Sequence, residues 1–283
     1  MAQLWSGAPV AAALTEQLTA EAEKLRQHGI SPTLAMIRVG ERPEDLSYER
    51  GALKRCEKIG IAVKQFILSD DSTQEELICL IQRVNEDTSI HGCLLFRPLP
   101  QHMNEAAVCA ALSPFKDVDG VTNGSLAGVF AGSGQGYPPC TAQACMELFR
   151  YYGYDLTGKK AVVVGRSLVI GKPVSMLLLK QNATVTLCHT HTVDLAAECR
   201  RADVLIAAAG HVGVIGADCL APKQVILDIG IHLTKDGGLI GDVDFKAADS
   251  IVRAITPVPG GVGAVTTTVL ASHVLEAADR SAR

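Results

Sequence analysis

The sequence predicts an α/β protein of two lobes, each built on a parallel sheet. Strand-like apolar runs alternate with helix-like stretches almost throughout. Those runs are close to continuously apolar, as parallel strands covered on both faces require. The 283 residues are more than one compact core needs and enough for two. A composition of 48% hydrophobic and 20% charged residues is that of a folded globular chain.

The elements follow in order. Residues 8–28 are an Ala/Leu/Glu-rich helix stopped by Gly29, and 33–40 (TLAMIRVG) an apolar strand. Residues 44–59 form a helix stopped by Gly60, and 61–68 (IAVKQFIL) a second strand. In DSTQEELICLIQRVNE, Ser72 or Thr73 is a fitting N-cap, with acidic residues in the first turn. A short buried strand at 92–96 runs into RPLP, and 104–112 is another helix. The segment 113–140, with KDVDG, NGS and AGSGQG, reads as turn and loop. The domain boundary belongs near its end: 1–139 is one lobe and 140–263 the other. The final helix, 264–283, is expected to pack back on the first lobe. After a helix at 141–152, the second series of strands is 160–165, 183–188, 203–210 and 224–230, with helices between the first three. A strand at 251–255, the loop TPVPGGVG and a helix at 264–280 close the chain. The two lobes are expected to face each other across a cleft.

The formal net charge of -4 offers no basic field for nucleic acid. No apolar run of about 18 residues predicts a membrane span. The first residues lack the basic region of a signal peptide. Nine unclustered cysteines, with no C-x-x-C pair, read as reduced thiols of a cytoplasmic protein. Cys188, His189 and His191 are the nearest thing to a metal cluster, but alternate strand residues face opposite sides, so no metal site is expected.

The sharpest local signal is AVVVGRSLVIGKP, 161–173: strand, glycine turn, helix start. Gly165 permits the turn, Gly171 lets backbone approach a phosphate, and the following helix N-terminus suits a pyrophosphate. Arg166 stands where the second glycine of G-x-G-x-x-G would be. The next strand ends Cys188-His189-Thr190-His191, with no carboxylate before Asp194. A cofactor lacking the 2′-phosphate usually meets an acidic residue there. Arg166 and Thr190 therefore favour NADP over NAD.

SYERGALKRCEKIGI (47–61), RPLP (97–100), KDVDG (116–120), PPCT (138–141), GRSLVIGKP (165–173), HTHT (189–192) and TPVPGGVG (256–263) occur in this order. Together they resemble the methylenetetrahydrofolate dehydrogenase/methenyltetrahydrofolate cyclohydrolase family over nearly the whole chain. The resemblance implies a homodimeric enzyme of one-carbon metabolism. It implies an N-terminal folate lobe and a Rossmann-like parallel-sheet lobe for NAD(P), with tetrahydrofolate in the cleft. It implies that Tyr48 stacks near the folate and that Asp119, neighboured by Asp117, holds the pterin. Pro259, Gly260 and Gly261 would line the folate pocket. Gly165, Arg166, Ser167, Gly171, Thr190, Ile231 and Thr266 would contact the cofactor. A carboxylate can accept from two adjacent pterin N–H groups. Hydride loss from the N5,N10-methylene carbon needs positioning rather than a protein nucleophile.

The chain departs from the family at a linked pair. Members with both activities usually carry Tyr-x-x-x-Lys, and counting from Tyr48 the Lys position is Ala52. Lys54 points about 200° away at ~100° per residue. The usual Gln before P-L-P is Phe96. The expectation is a dehydrogenase whose cyclohydrolase activity is weak or absent, with full bifunctionality, through Lys54 or Arg50, as the alternative. Smaller changes, Ala142 after P-C-T and Val265-Thr266 after the glycine loop, read as packing. A non-catalytic folate- and nucleotide-binding protein and a dehydrogenase of another small substrate are the competing readings.

Overall fold

The computed structural model describes residues 1–281. Its strands, in chain order, are β1 (Gln3–Leu4), β2 (Thr33–Val39), β3 (Ala62–Leu68), β4 (Gly92–Leu95), β5 (Lys160–Val164), β6 (Thr184–Cys188), β7 (Val204–Ala207), β8 (Val225–Asp228), β9 (His232–Leu233), β10 (Leu239–Ile240) and β11 (Ala254–Ile255). Its helices are α1 (Gly7–Gln27), α2 (Pro43–Ile59), α3 (Gln74–Glu86), α4 (Glu105–Ala111), α5 (Asn123–Ala131), α6 (Cys140–Tyr151), α7 (Gly171–Lys180), α8 (Leu195–Arg200), α9 (Phe245–Ile251) and α10 (Thr266–Ser281). The chain divides into two compact units: unit 1, Met1–Ala12 with Thr141–Thr266, and unit 2, Ala13–Cys140 with Thr267–Arg283. The first twelve residues thus group with the later half of the chain, whereas the sequence reading gave them to the first lobe. The cause is pairing: β1 runs parallel to β11, Gln3 opposite Ala254.

Unit 2 holds a three-stranded parallel sheet in the order β3-β2-β4. The middle strand is buried along its whole length, as its unbroken apolar run requires. Ala35, Ile37, Leu77, Ile81, Cys93, Leu95 and Val108 are core residues between this sheet and α3 and α4. Thr73, rather than Ser72, caps α3: its hydroxyl accepts from Glu76 N and the Glu76 carboxylate accepts from Thr73 N, a reciprocal capping box. Pro43 opens α2 and Gly60, in the left-handed region, ends it. Gly92 lies against Val118 and Val274, so α10 packs close to β4.

The segment 113–140 is not all loop. It contains α5, capped by Thr122, whose hydroxyl accepts from Ser125 N. Thr122 N in turn donates to the buried Asp117 carboxylate. Capping and anchoring override the glycine-rich composition that predicted a loop.

Unit 1 holds a six-stranded parallel sheet in the order β1-β11-β8-β7-β5-β6. Read from β6, five of these strands follow the doubly wound order 2-1-3-4-5 of mononucleotide folds. Val162, Val164, Leu205, Ala207, Ile226 and Ile255 line its core. Two differences from the sequence reading stand out. Only Ala254–Ile255 pair as a strand, because α9 occupies residues up to Ile251, its start capped by Asp244. A small antiparallel ribbon, β9–β10, lies between β8 and α9.

Candidate functional site

In unit 1 the strand order reverses between β5 and β7, so a crevice opens at their carboxyl ends, where nucleotides bind in such sheets. Gly165 follows β5 with φ 124°. A Cβ there would run into the Ala208 carbonyl, and a Cβ on Gly171 would run into the Gly165 carbonyl. The turn is therefore a backbone cradle that side chains would fill. No side chain caps α7, which starts at Gly171, so its positive end is open to an anion. The Ser167 hydroxyl accepts from Ile170 N at 3.1 Å, shaping this turn, and Arg166 and Ser167 are exposed. The chain's own backbone fits a dinucleotide pyrophosphate at this place.

Past β6, His189, Thr190, His191 and Thr192 form a tight turn. His189 N donates to the Thr192 hydroxyl at 2.8 Å and His191 N to the His189 ring at 3.1 Å. Thr190 is left exposed. Asp194, the first carboxylate beyond the strand, accepts from Ala197 N at 3.0 Å as the cap of α8. Among the described residues no group of three or more His, Cys, Asp or Glu side chains is arranged to hold a metal.

The loops after β7 and β8 are held by two acidic residues that the sequence reading missed. Asp242, fully buried, accepts from Ala209 N at 2.6 Å and Gly210 N at 2.9 Å, and its other oxygen lies 2.7 Å from His232 Nε2. Asp228 accepts from Gly230, Asp242 and Val243 N–H groups at 2.9–3.0 Å. Desolvation pushes the Asp228 carboxyl up to about 6, against those three donors and aided by the Asp242 charge. Between them stands Ile231, 64% exposed on the loop after β8. An apolar side chain held out on a braced loop suits a flat ligand face. An aspartate at the end of a strand (ILDIG) and a second in GDVD were the available signals, but nothing in the sequence joins them.

The 257–263 loop also belongs to unit 1. Val258–Pro259 is cis, Pro259 and Gly260 are exposed, and Gly260 O accepts from Gly7 N at 2.8 Å. Gly261 is buried, where a Cβ would clash with Pro257 and Thr256. Thr266 is 7% exposed and its hydroxyl donates to Gly263 O at 3.1 Å. Its proton is thus engaged within the loop.

Unit 2 gathers Tyr48, Ala52, Phe96 and the 116–120 turn. Glu49 fixes α2 on the sheet: buried, it pairs with Arg38 at 3.2 Å and accepts from Gln65 at 2.9 Å. That anchoring leaves the neighbouring Tyr48 facing Phe96, edge to face at 6.2 Å between centroids. Ala52 is fully buried, while Arg50 and Lys54 are exposed. Arg55, three residues on and so on the same side of the helix as Ala52, donates to the Thr15 hydroxyl at 2.6 Å.

The two acidic residues of KDVDG have different duties. Asp117 is fully buried and accepts from Val121 N at 2.9 Å and Thr122 N at 2.7 Å. Asp119 is partly exposed and accepts no backbone N–H of its own turn, but it meets the backbone N–H and the thiol of Cys140. Desolvation raises its carboxyl to about 6, with the Asp117 charge adding to the rise, while the Cys140 thiol and the Arg97 guanidinium lower it. Arg97 itself pairs with Glu105 at 3.1 Å. His273 and Cys140 brace the turn from behind through Val118 O, at 2.8 and 3.4 Å.

The comparisons agree over the full length. The family described as tetrahydrofolate dehydrogenase/cyclohydrolase, catalytic domain, matches residues 5–119, and that described as its NAD(P)-binding domain matches 139–282. The chain is 48% identical over 275 residues to the bifunctional protein FolD of Clostridioides difficile, covering 97% of this chain and 96% of that one. It is 47% identical over 281 residues to the FolD of Carboxydothermus hydrogenoformans, covering 99% and 98%. Among solved structures, the bifunctional FolD of Campylobacter jejuni superposes with a TM-score of 0.96 at 36% identity, with 99% of each chain covered. The Trypanosoma brucei methylenetetrahydrofolate dehydrogenase-cyclohydrolase, complexed with NADP and an inhibitor, gives 0.92 at 33% identity, covering 100% and 99%. Two profile matches that jointly span the chain, and relatives of this identity over nearly every residue, lead to one statement: the chain belongs to the tetrahydrofolate dehydrogenase/cyclohydrolase family.

Proposed function

We propose that the protein oxidises 5,10-methylenetetrahydrofolate to the 5,10-methenyl compound with NADP and also hydrolyses the methenyl ring. Asp119 supports the first half most directly. It is a partly exposed carboxylate in a turn whose other acid is already saturated. In this reading Asp119 accepts the pterin N–H groups and Tyr48, steadied by Phe96, presents its ring to the folate. Pro259, Gly260 and Gly261 are further folate contacts in this reading. Gly165, Arg166, Ser167, Gly171, Thr190, Ile231 and Thr266 hold the dinucleotide, which when bound supplies the hydride acceptor. Thr266 would contribute a lone pair, since its proton is engaged. NADP is preferred over NAD because Arg166 after β5 and Thr190 after β6 are exposed, while Asp194 is committed to capping α8. For the oxidation the chain needs no nucleophile: its contribution is to hold two flat reactants in register.

The second activity is the point at which the sequence expectation changes. Relatives at 48% and 47% identity are named bifunctional, which favours two activities over the dehydrogenase alone. The buried Ala52 and Phe96 keep the single-activity reading in play, because no amine faces that position from Arg50 or Lys54. One assay separates them. Purified protein is given methylenetetrahydrofolate with NADP or NAD, and reduced nicotinamide and methenyl product are followed together. Two activities leave little methenyl product; one activity lets it accumulate in step with reduced nicotinamide. In the second case, the Ala52→Lys/Phe96→Gln double variant should clear the product. Absence of any reduction despite folate binding would overturn the enzyme reading. The homodimer and cytoplasmic location belong to the same proposal, and sedimentation of the purified chain tests the dimer. No described helix is long and apolar enough to cross a membrane.

A further inference from the structure

Unit 2 carries a cavity of about 360 Å³ at the amino end of β4, the opposite end from Phe96. Its volume falls in the ~300–1,000 Å³ range of small-molecule sites. Asn85 from the last turn of α3, His91 just before β4, Phe115 and Lys116 from the turn that follows α4, Tyr137, and Arg280 from α10 line it.

Charge and shape both select an occupant. Lys116 and Arg280 are the basic residues of the wall, and none of the described lining residues is acidic. The nearby acids are engaged: Asp87 with Lys64 at 2.9 Å, and Glu276 with one nitrogen of Arg280 at 2.5 Å. Lys116 Nζ donates to Val84 O and Asp87 O, each at 2.7 Å, which fixes the ammonium and leaves one of its three N–H directions. Burial holds the Lys116 pKa below its ordinary value. For the half-buried His91 ring, desolvation and the Lys116 charge act the same way. An anion in the cavity would relieve that desolvation cost. The Arg280 guanidinium is itself held, 5.0 Å over the Tyr137 ring. Tyr137 is 1% exposed, and its hydroxyl lies within reach of the same guanidinium. Phe115, 66% exposed, offers the one large flat apolar surface of the wall.

We propose that this cavity is a second ligand site for a small aryl anion, a carboxylate or phosphate on an aromatic ring. The anionic group would sit between Lys116 and Arg280, and the ring against Phe115. The site lies within unit 2 and shares no residue with the folate reading, so it stands whether or not that reading does.

Ligand-observed NMR on the full chain tests it with benzoate, phenyl phosphate, inorganic phosphate and the neutral benzyl alcohol. Benzoate and phenyl phosphate should bind and benzyl alcohol should not. Arg280→Met, which keeps the aliphatic stem, should weaken both aryl anions at least tenfold. Phe115→Ala should weaken the aryl anions and leave inorganic phosphate unchanged. Thermal melts confirm that both variants fold. Equal binding of benzyl alcohol, or unchanged affinity in both variants, would overturn the proposal. So would loss of benzoate binding in Asp119→Asn, which would put the ligand in the folate site instead.

Discussion

Each unit closes a turn with a pair of aspartates, and the two pairs are used in opposite ways. In unit 1 both members are saturated. Asp228 accepts three backbone N–H groups, and Asp242 accepts two more and faces His232. In unit 2 Asp117 is saturated in the same manner, but Asp119 is partly exposed and meets donors from Cys140 alone. Acidity does not separate framework from site, since desolvation lifts Asp119 and Asp228 alike to about 6. What separates them is the number of fixed donors already around the carboxylate. A carboxylate whose lone pairs are taken braces a loop, and one with lone pairs free can receive a ligand.

The largest expected effect comes from Asp119→Asn. Losing a charge-assisted hydrogen bond of about 1.5–3 kcal/mol should lower dehydrogenase kcat/KM tenfold to a hundredfold. A value within twofold of the parent would remove Asp119 from the site. The same variant has a stability signature with a definite sign. Below the ordinary value of 3.8 the carboxyl is protonated in both folded and unfolded chains. From there to about 6 only the unfolded chain has lost its proton, so the parent loses stability as pH rises. Asn escapes this loss. The Tm difference should therefore move in favour of the variant between pH 4 and 7 and level off above; a flat difference would mean that Asp119 is well solvated.

Asp117→Ala should do the converse. Two N–H groups, one of them buried, lose their acceptor, at about 1–3 kcal/mol each, so denaturant melts should show a loss of about 2–6 kcal/mol. Activity per folded molecule should fall less than in Asp119→Asn. If activity collapses while stability holds, the two aspartates have been assigned the wrong way round. Next comes Asp242→Asn, which loosens Ala209, Gly210 and His232 together. A loss of about 1–2 kcal/mol should appear as a five- to thirtyfold higher KM for the dinucleotide, with the folate KM unchanged. Equal rises in both would make Asp242 a general stabiliser. The smallest effect belongs to Thr122→Ala, which removes the cap of α5 behind Asp117 and should cost about 1 kcal/mol in thermal melts, without altering kcat.

Central strands were legible because burial on both faces writes itself as near-continuous apolar sequence, as in β2, β5, β7 and β8. Thr73 was legible to within one residue because a capping box has a fixed spacing. Other features were hidden for physical reasons. α5 looks like loop because its glycines oppose a helix locally, and the Asp117 and Thr122 contacts that overrule them depend on the fold. β1 is two residues long, and only β11, far along the chain, makes it a strand. Asp117 and Asp119 are alike in sequence, and only the count of backbone donors distinguishes them. Asp228, Asp242 and Glu49 act through partners that no local spacing reveals. The glycine turn at 165–171 was readable since its geometry is local; the bracing of the loops beside it was not.

The pairing of Gln3 with Ala254 also bears on how the chain matures as it leaves the ribosome. The residues of unit 2 from Ala13 to Cys140 emerge before most of unit 1, so that lobe can begin to collapse first. The edge of the larger sheet, by contrast, must wait for almost the whole polypeptide. Such a high-contact-order closure is slow, and it leaves the first strand exposed for most of synthesis. A bulky fusion at the amino terminus should therefore slow acquisition of dinucleotide binding more than one at the carboxyl terminus, even when both products reach the same final stability.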